Sequence, residues 1–467
     1  MTAGEVWDSA ARSRHPIYSG VTPEFRHIGV VGSGLAAAFW AGMEQVVAYA
    51  ALAATVGLAV TRPRLGRYRV TPGAAALAGV LALIAARLLT PHMMLEAARV
   101  QWRPLVTLTS IMILTGVVHE VGAFERLAAV IEQRARTGTR SAASAFTLVF
   151  ALAAATPSLL NNDAAILILT PLVVALTRRL YPRRPEITIA FAFAVFLAPG
   201  VAPFIVSNPM NMIVAEYAGL GFNAYAVVMV PLSLVGALLT YGVLRWVYRG
   251  LLRSAPAAAP APRTVFHRHA GERPAVLLML AVFIAYPIAA ALGAEIWTVA
   301  AAGALASLTV CRIYDVAPLR KAASHVSLDI LVFLWGIFLV VQGLRSVGVV
   351  DELRALYAAA PAGSGSQLAT IGVASALGSA AIDNHPMSIL NMLALDRSHG
   401  PAPLLAALIG GDIGPRLLPI GSLAGLLWVD LLRRSGVEIG VGRFMRLGTL
   451  VLAPTLAASL AMLWLLR

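Results

Sequence analysis

The sequence predicts an all-α polytopic membrane protein, and its composition and the length of its apolar runs indicate this. Of the 467 residues, 59% are hydrophobic and only 12% are charged, and the mean hydropathy is +0.80. A soluble domain carries about 25% charged residues, so this chain has too few to cover a water-facing surface. The composition therefore excludes most soluble enzymes and nucleic-acid binders, even though the net charge is +14.

Apolar runs recur along the chain between residues 44 and 466. A helix that crosses a bilayer needs about 20 largely apolar residues, and the longer runs predict about ten transmembrane helices. Residues 1–43 are predicted to be an N-terminal extension, in which no cleavable signal peptide is evident. The single cysteine, Cys311, excludes a disulfide framework and a cysteine-based metal site.

The charge of the loops predicts the orientation of the chain, because positive loops stay in the cytoplasm. Six loops carry a summed charge of +18, and the intervening loops sum to −1. This bias holds only if residues 141–177 and 364–395 each enter and leave the membrane on one side. Both segments are therefore predicted to be re-entrant hairpins, and both chain termini are predicted to lie outside.

The chain is predicted to contain two related halves. Residues 119–127 resemble residues 345–353, and in each half this segment is followed by a hairpin, a Gly/Pro-broken span and a final span. Two halves that share the same order of elements but begin on opposite sides of the membrane form an inverted repeat, which is typical of secondary transporters. The predicted boundaries are 44–248 for the first half with its broken helix at 187–220, 249–273 for a cytoplasmic linker, and 274–467 for the second half with its broken helix at 403–432.

Four groups of polar residues fall at membrane depth, where burial is costly and polar side chains are functional candidates. Two groups lie at the predicted hairpin tips and two at the predicted helix breaks. We expect the following residues to bind a small solute: Asn161, Asn162, Asp163, Ser207, Asn208, Asn211, Asp383, Asn384, His385 and Ser422. We expect three carboxylates to carry coupling protons: Asp163, Asp383 and Asp412.

Helix breaks favour such a site because they free backbone groups at mid-membrane, which only protein or a wet cavity can satisfy. Helix N-termini attract polar oxygens, and freed carbonyls attract cations. Structural interpretations stay open for single residues: an Asn or Ser at a break can be a helix cap, His385 can be a hydrogen-bonding histidine, and Asp412 with Arg416 can be an ion pair.

These motifs resemble those of the ArsB-type arsenite/antimonite permeases of the ion transporter superfamily. The run from Asn161 to Pro171 is similar to that family's N-D-x-A-x-L-I-L-T-P stretch, and the run from Ser207 to Asn211 is similar to its S-N-x-x-N segment. The run from Gly414 to Trp428 resembles its G-P-K-x-T-P-I-G-S-L-A-T-L-L-W segment. The resemblance extends over about residues 44–466.

The resemblance implies a two-half inverted-repeat fold in the cytoplasmic membrane that exports trivalent arsenite or antimonite, driven by protons and sometimes joined by a soluble ATPase. We expect no cofactor and no enzymatic activity, and we expect the coupling ion to be H⁺, with Na⁺ as the alternative. On matching positions, the site is lined by Asn162, Asp163, Ser207, Asn208, Asn384 and Ser422. Three positions depart from the family pattern: Asp383 replaces Asn, His385 replaces an apolar residue, and Leu418 replaces Thr.

Two alternatives to metalloid efflux stay open. A sodium/proton antiporter or an anion–sodium symporter of the same superfamily would share the fold and the position of the site. A protein of another class, an intramembrane enzyme, would use Asp383, His385 and Asp163 as metal ligands or acid/base groups. The small solute and the lipid bilayer are the expected partners, and nucleic acid is not.

Overall fold

The computed structural model describes residues 34–137, 142–182, 184–253, 269–395 and 400–467. The first half contains nine helices, which we number in chain order: α1 Gly34–Thr61, α2 Pro72–Ala85, α3 Pro91–Glu120, α4 Ala123–Thr137, α5 Ala142–Leu159, α6 Asn162–Leu180, α7 Pro185–Leu197, α8 Pro209–Ala218 and α9 Phe222–Val247. Two short antiparallel strands, β1 Arg64–Leu65 and β2 Tyr68–Arg69, lie between α1 and α2.

The second half follows the short helix α10, Arg249–Arg253. Its helices are α11 Glu272–Ala291, α12 Ile296–Ile313, α13 Leu319–Ala323, α14 Leu328–Arg345, α15 Val349–Ala358, α16 Gly365–Ile382, α17 Asn384–Ala394, α18 Ala402–Ile413, α19 Leu423–Arg434 and α20 Val441–Leu466. Three 3₁₀ turns occupy the helix breaks: Ile205–Ser207, Gly414–Arg416 and Pro419–Gly421.

The helical membrane fold expected from the sequence is confirmed. Within the described residues, seven helices are long and apolar enough to cross a membrane, and the bent pair α3–α4 would make an eighth. Other apolar helices are shorter, among them α2 and α7, because prolines and helix breaks interrupt the apolar runs. The membrane orientation stays a prediction from the loop charges.

Two helical pairs occupy the positions of the predicted hairpins. The pair α5–α6 is interrupted at Leu160 and Asn161, and the pair α16–α17 is interrupted at Asp383. The two predicted broken helices are α7 with α8 and α18 with α19. One 3₁₀ turn lies between the helices of the first pair and two lie between those of the second, so neither helix is continuous. Asn208 caps α8 and Ser422 caps α19, both with an extended backbone and a side-chain oxygen that accepts an N–H.

The helix order of the first half recurs in the second. Helices α1, α2 and α3 correspond to α11, α12 and α14, and α4 to α9 correspond to α15 to α20 in order. Gly122 and Gly348 have positive φ angles of +76° and +89° at the same junction, after α3 and after α14. Both glycines permit the left-handed turn that redirects the chain into an amphipathic helix.

The two halves interlock through equivalent contacts. Helix α2 packs against α14, and α12 packs against α3, so each half places a helix on the other. The second helix of each hairpin does the same, because α6 packs against α19 and α17 packs against α8. The two breaks and the two hairpins are thereby held at the interface between the halves.

Several features differ from, or lie outside, the sequence-based expectations. Helix α1 begins at Gly34, so part of the expected N-terminal extension belongs to the first helix. The β1–β2 ribbon was not predicted, because strands of two residues leave no periodic hydrophobic pattern. Residues 1–33 of the predicted extension and residues 254–268 of the predicted linker lie outside the described residues.

A candidate solute and coupling site at the two helix breaks

Asp412, near the end of α18, is the centre of a buried polar network that joins the two halves. Its Oδ1 accepts from Asn208 Nδ2 at 2.8 Å, and its Oδ2 accepts from the backbone N–H of Ala202 at 2.9 Å. Asn211 Nδ2 also donates to Oδ2, at 3.3 Å. A carboxylate that accepts three N–H groups is hydrogen-bonded as the ionised form, which is an acceptor only.

Tyr225, in the first turn of α9, extends this network. Asn211 Nδ2 donates to the Tyr225 hydroxyl at 2.6 Å, and that hydroxyl donates to the carbonyl oxygen of Ala202 at 3.1 Å. Tyr225 is fully buried, so its hydroxyl requires these partners. The sequence did not predict a role for Tyr225. The signal that could have indicated one was a tyrosine hydroxyl near the start of a largely apolar span.

Arg416 lies four residues beyond Asp412 but binds other groups. Its Nη2 donates to the carbonyls of Leu197 at 2.8 Å and Pro199 at 3.3 Å, where α7 ends. Its Nη1 donates to Thr455 and, at longer range, to Thr240. Within the described residues, no direct ion pair joins Arg416 to Asp412, so the spacing of four does not produce one. The negative end of α7 stabilises the guanidinium instead.

The tip of hairpin two is formed by Asp383 and His385. Asp383 Oδ1 accepts from the backbone N–H of His385 at 2.9 Å and contacts its Nδ1 at 2.6 Å. Both residues are buried, and the Phe333 ring meets the imidazole edge-on. Asp383 has φ +79°, an uncommon angle for a residue with a side chain, and such strain clusters at functional sites. Both residues therefore sit where the sequence placed them, at one tip.

Asn384, which starts α17, brings hairpin two next to Asp412. Its Oδ1 accepts from Ser388 at 2.9 Å. A Cβ added to Gly411 would lie 2.7 Å from the same oxygen, so Asn384 faces α18 one residue before Asp412. The absence of a side chain at Gly411 permits this approach. The tip of hairpin two and the first break thus converge on the end of α18.

The tip of hairpin one is placed differently. Asn161 is buried and caps α6, with its Oδ1 accepting from the N–H of Ala164 at 2.8 Å, so its expected role in binding has a structural alternative. Asn162 is half-buried at the first turn of α6, which packs against α19. The side chain of Asp163 lies outside the described residues, and its predicted role stays a prediction.

The serines at the two breaks differ in environment. Ser207 is fully buried, and its hydroxyl has no hydrogen-bond partner among the described residues. Ser422 is half-buried, and its hydroxyl accepts from the N–H of Gly425 at 2.9 Å. The described hydrogen bonds therefore join Asn208, Asn211 and Asp412, and the tip of hairpin two meets α18 next to them at Gly411. Ser207 is buried beside this network, and Asn162 and Ser422 lie in a second, more open region near α6 and α19.

Only one of the two equivalent interfaces is polar. The repeat relates Tyr225 to Phe444, each at the fourth position of a 26-residue helix. Phe444 packs with three other buried aromatic rings, those of Phe193, Phe196 and Trp428. The two halves thus share their helix arrangement, whereas the hydrogen-bonded carboxylate is found at the Asp412 interface and not at the equivalent Phe444 interface. Within the described residues, no group of three or more His, Cys, Asp or Glu side chains is arranged to hold a metal ion.

Comparison with known proteins identifies the group to which this fold and these breaks belong. The family described as ArsB, arsenical pump membrane protein, matches residues 53–466. The arsenical pump membrane protein of Yersinia enterocolitica is 31% identical over 379 residues, covering 78% of this chain and 86% of the relative. The arsenical pump membrane protein of Escherichia coli (strain K12) is 32% identical over 380 residues, with the same coverage.

The chain belongs to the ArsB family.

A solved structure shows the same fold at lower similarity. The Alcanivorax borkumensis YdaH transporter, whose crystal structure has an unusual topology, matches with a TM-score of 0.53 and 17% identity, covering 91% of this chain and 97% of that one. An uncharacterized transporter of Mycobacterium tuberculosis (strain H37Rv) is 28% identical over 418 residues. This ArsB-family protein is therefore a multi-span membrane transporter.

Proposed function

We propose that this ArsB-family protein exports arsenite and antimonite across the cytoplasmic membrane in exchange for protons, by alternating access. The observation that carries the proposal is the half-buried Asp412 carboxylate, which one half contributes and the break of the other half holds through Asn208 and Asn211. The names of the relatives support the choice of solute, since those proteins are arsenical pump membrane proteins.

The donors and acceptors at the breaks suit a small neutral trihydroxide. Arsenous acid both donates and accepts hydrogen bonds, and amides and hydroxyls do the same without a net charge. We assign the solute to the space between the breaks, with Asn162 and Ser422 on its open side and Asn384 on its closed side. Because these groups are neutral, binding does not require a cysteine.

Asp412 suits the coupling role because its protonation would change contacts between the halves. The ionised carboxylate accepts from Asn208, Asn211 and the N–H of Ala202. A proton on one oxygen turns an acceptor into a donor, so a bond to an Asn N–H is lost and the first break loosens. Proton entry from outside would then favour release of the solute, and proton loss inside would restore the tight break.

The test is arsenite uptake into everted vesicles that carry a proton gradient. We expect Asp412→Asn to reduce gradient-driven uptake at least a hundredfold while the protein still inserts, because Asn keeps the size of the side chain but cannot carry the proton. The matched control is Asp351→Asn, which removes a carboxylate that is 67% exposed on α15. This control should transport normally.

Three outcomes would change the proposal. Normal uptake by Asp412→Asn would move the coupling group elsewhere, and Asp163→Asn and Asp383→Asn are then the next variants to measure. Uptake that follows a sodium gradient and ignores the proton gradient would favour the sodium-coupled alternatives. Failure of the parent protein to move arsenite or antimonite under either gradient would overturn the choice of solute.

A further inference from the structure

We call α4–α8 and α15–α19 the hairpin-bearing unit, and α1–α3, α9, α11–α14 and α20 the flanking helices. The unit packs unequally against α3 and α14, which the repeat relates to each other. Helix α8 packs against α3, and α17 packs against α14. The repeat relates these contacts to α19 with α14 and to α6 with α3, and comparable packing at those two places is absent from the described part of the chain. The two halves are therefore not equivalent in conformation, although their elements correspond one to one.

The exposure of equivalent residues shows the same difference. Val206, in the turn before Asn208, is 2% exposed, whereas Ile420, its counterpart before Ser422, is 38% exposed. Both residues are apolar and precede equivalent helix caps, so their different exposure arises from the packing of neighbouring helices around each break. The first break is closed and the second is open, and the loop charges place the open side in the cytoplasm.

An ion-pair cluster lies on the closed side. Arg103 of α3 binds Glu216 of α8, with 2.9 Å between Nη1 and Oε1, and it binds Glu295 before α12, with 3.0 Å between Nη2 and Oε1. The contact to Glu216 joins the hairpin-bearing unit to the flanking helices. The contact to Glu295 stays within the flanking helices. One guanidinium therefore bridges two acids, of which only one moves with the hairpins.

On the open side, the position equivalent to the arginine is an acid, and the position equivalent to Glu216 is also an acid. Counting from Gly122 and Gly348, Arg103 corresponds to Asp329, and counting from the two caps, Glu216 corresponds to Asp430. Asp329 Oδ1 accepts from the N–H of Gly73 at 2.9 Å, which ties α14 to α2 as Arg103 ties α3 to α12. Asp430 pairs with Arg434 of its own helix instead of crossing to the flanking helices.

Arg62 is the candidate cation of the open side, where the position equivalent to Arg103 is occupied by an acid. It lies in the loop after α1, half-buried, and its Nε has no hydrogen-bond partner among the described residues. Burial and the charges of Arg69 and Arg434 lower the pKa of Arg62, and the carboxylates of Asp329 and Asp430 act on it in the opposite direction. The N–H of Val70 donates to the carbonyl of Pro63 at 2.9 Å, so the loop folds Arg62 back toward the start of α2, where Gly73 binds Asp329. Within the described residues, Arg62 forms no ion pair with Asp329 or Asp430.

Resting on the alternating-access transport proposed above, we propose that these two clusters are alternating latches. The ion pair of Arg103 with Glu216 holds the exterior side closed, whereas Glu295 lies on the same side of the contact as Arg103 and does not join it to the moving unit. In the other state, Arg62 pairs with Asp430 and closes the cytoplasmic side, with Asp329 on the same side of the contact as Arg62. Each latch has one arginine and two acids, and in each the flanking helices supply the arginine and one acid. The moving unit supplies the second acid, Glu216 of α8 or Asp430 of α19.

The test measures which side is open, without arsenite or antimonite. In a Cys311→Ala background, Val206→Cys or Ile420→Cys supplies a single thiol, and a membrane-impermeant maleimide is applied to right-side-out or everted vesicles. The parent should label at Ile420→Cys from the cytoplasmic face and stay protected at Val206→Cys from outside. Glu216→Gln should raise outside labelling of Val206→Cys on the order of fivefold, the population change for an ion pair of about 1 kcal/mol.

Two further variants make the result specific. Glu295→Gln is the matched control, because it removes a contact of the same guanidinium that does not cross to the hairpin-bearing unit, and it should leave the labelling unchanged. Arg62→Gln added to Glu216→Gln should return the labelling toward the parent level, since it weakens the opposite latch.

Unchanged labelling of Val206→Cys in both Glu216→Gln and Arg103→Gln would overturn the latches. An equal rise in Glu295→Gln would also overturn them, because the effect would then be a general loosening of the flanking helices. The labelling is independent of the solute, so a protein that fails to move arsenite but shows these shifts would contradict the proposed function and leave the latches standing.

Discussion

At the scale of single residues, the second break depends on glycines whose missing side chains let neighbouring segments pack closely against Arg416. Arg416 is 2% exposed, and α20 passes its carbonyl so closely that a Cβ on Gly448 would lie 1.7 Å from the oxygen. A Cβ added to Gly200 would lie 2.9 Å from Nη2 of the Arg416 guanidinium. The sequence identified Arg416 by its spacing from Asp412, but its actual partners lie on α7, α9 and α20.

Gly448→Ala should therefore destabilise the protein by about 2 kcal/mol or more, the usual range for overpacking. The atom that the added Cβ would meet is a backbone oxygen, which cannot rotate away as a side chain could. Thermal unfolding in detergent should show a lower Tm. Gly442→Ala is the control on the same helix, because nothing lies within 4 Å of its added Cβ. An unchanged Tm in Gly448→Ala would contradict the close packing of α20 on the break.

At the scale of elements, the hairpin tips are set by helix caps. Asn161 caps α6 and Asp383 caps α17, and each side chain accepts a backbone N–H of the helix that follows. The sequence placed both tips, because a polar run between two apolar runs leaves few other positions for the turn. It did not show the φ of +79° at Asp383, which depends on how α16 and α17 meet.

Asp383→Asn should retain folding and arsenite transport within a few-fold of the parent. Asn accepts the same bonds, tolerates a positive φ, and is the residue that the family pattern has at this position. Asp383→Val should lose stability by about 2 to 4 kcal/mol, because it loses the cap and places a β-branched residue in a strained conformation. Tm and vesicle uptake measured on both variants test this. Equal behaviour of the two variants would show that neither cap nor strain matters at this tip.

At the scale of the whole molecule, the repeat gives two similar halves with different interiors. The interface at Asp412 is polar, whereas the equivalent position at Phe444 is aromatic. One interface therefore carries the hydrogen-bonded carboxylate, and the equivalent interface is packed with aromatic rings. The number and order of the helices follow from apolar runs and breaks, which each half carries in its own sequence.

The orientation of the whole chain follows from the loop charges, and thiol labelling tests it. Arg253→Cys, in the predicted cytoplasmic linker, should react with an impermeant reagent only in everted vesicles. Arg467→Cys, at the predicted outer terminus, should react only in right-side-out vesicles. Both residues are exposed, so protection would reflect the side of the membrane rather than burial. The reverse pattern would invert the topology and exchange the two sides assigned to the latches.

The sequence by itself determined the membrane class, the helix order, the two hairpin tips, the two breaks and the family resemblance. Each of these is a property of a segment: its hydropathy, its charge, its prolines and glycines, or its motif. Tertiary structure alone decided that Asp412 bonds Asn208, more than 200 residues away, and that Arg416 binds the end of α7. It also decided that Arg103 reaches Glu216, whereas Arg62 forms no ion pair within the described residues. Contacts between distant segments depend on how helices pack in three dimensions, and a pattern within one segment does not specify the surface that it meets.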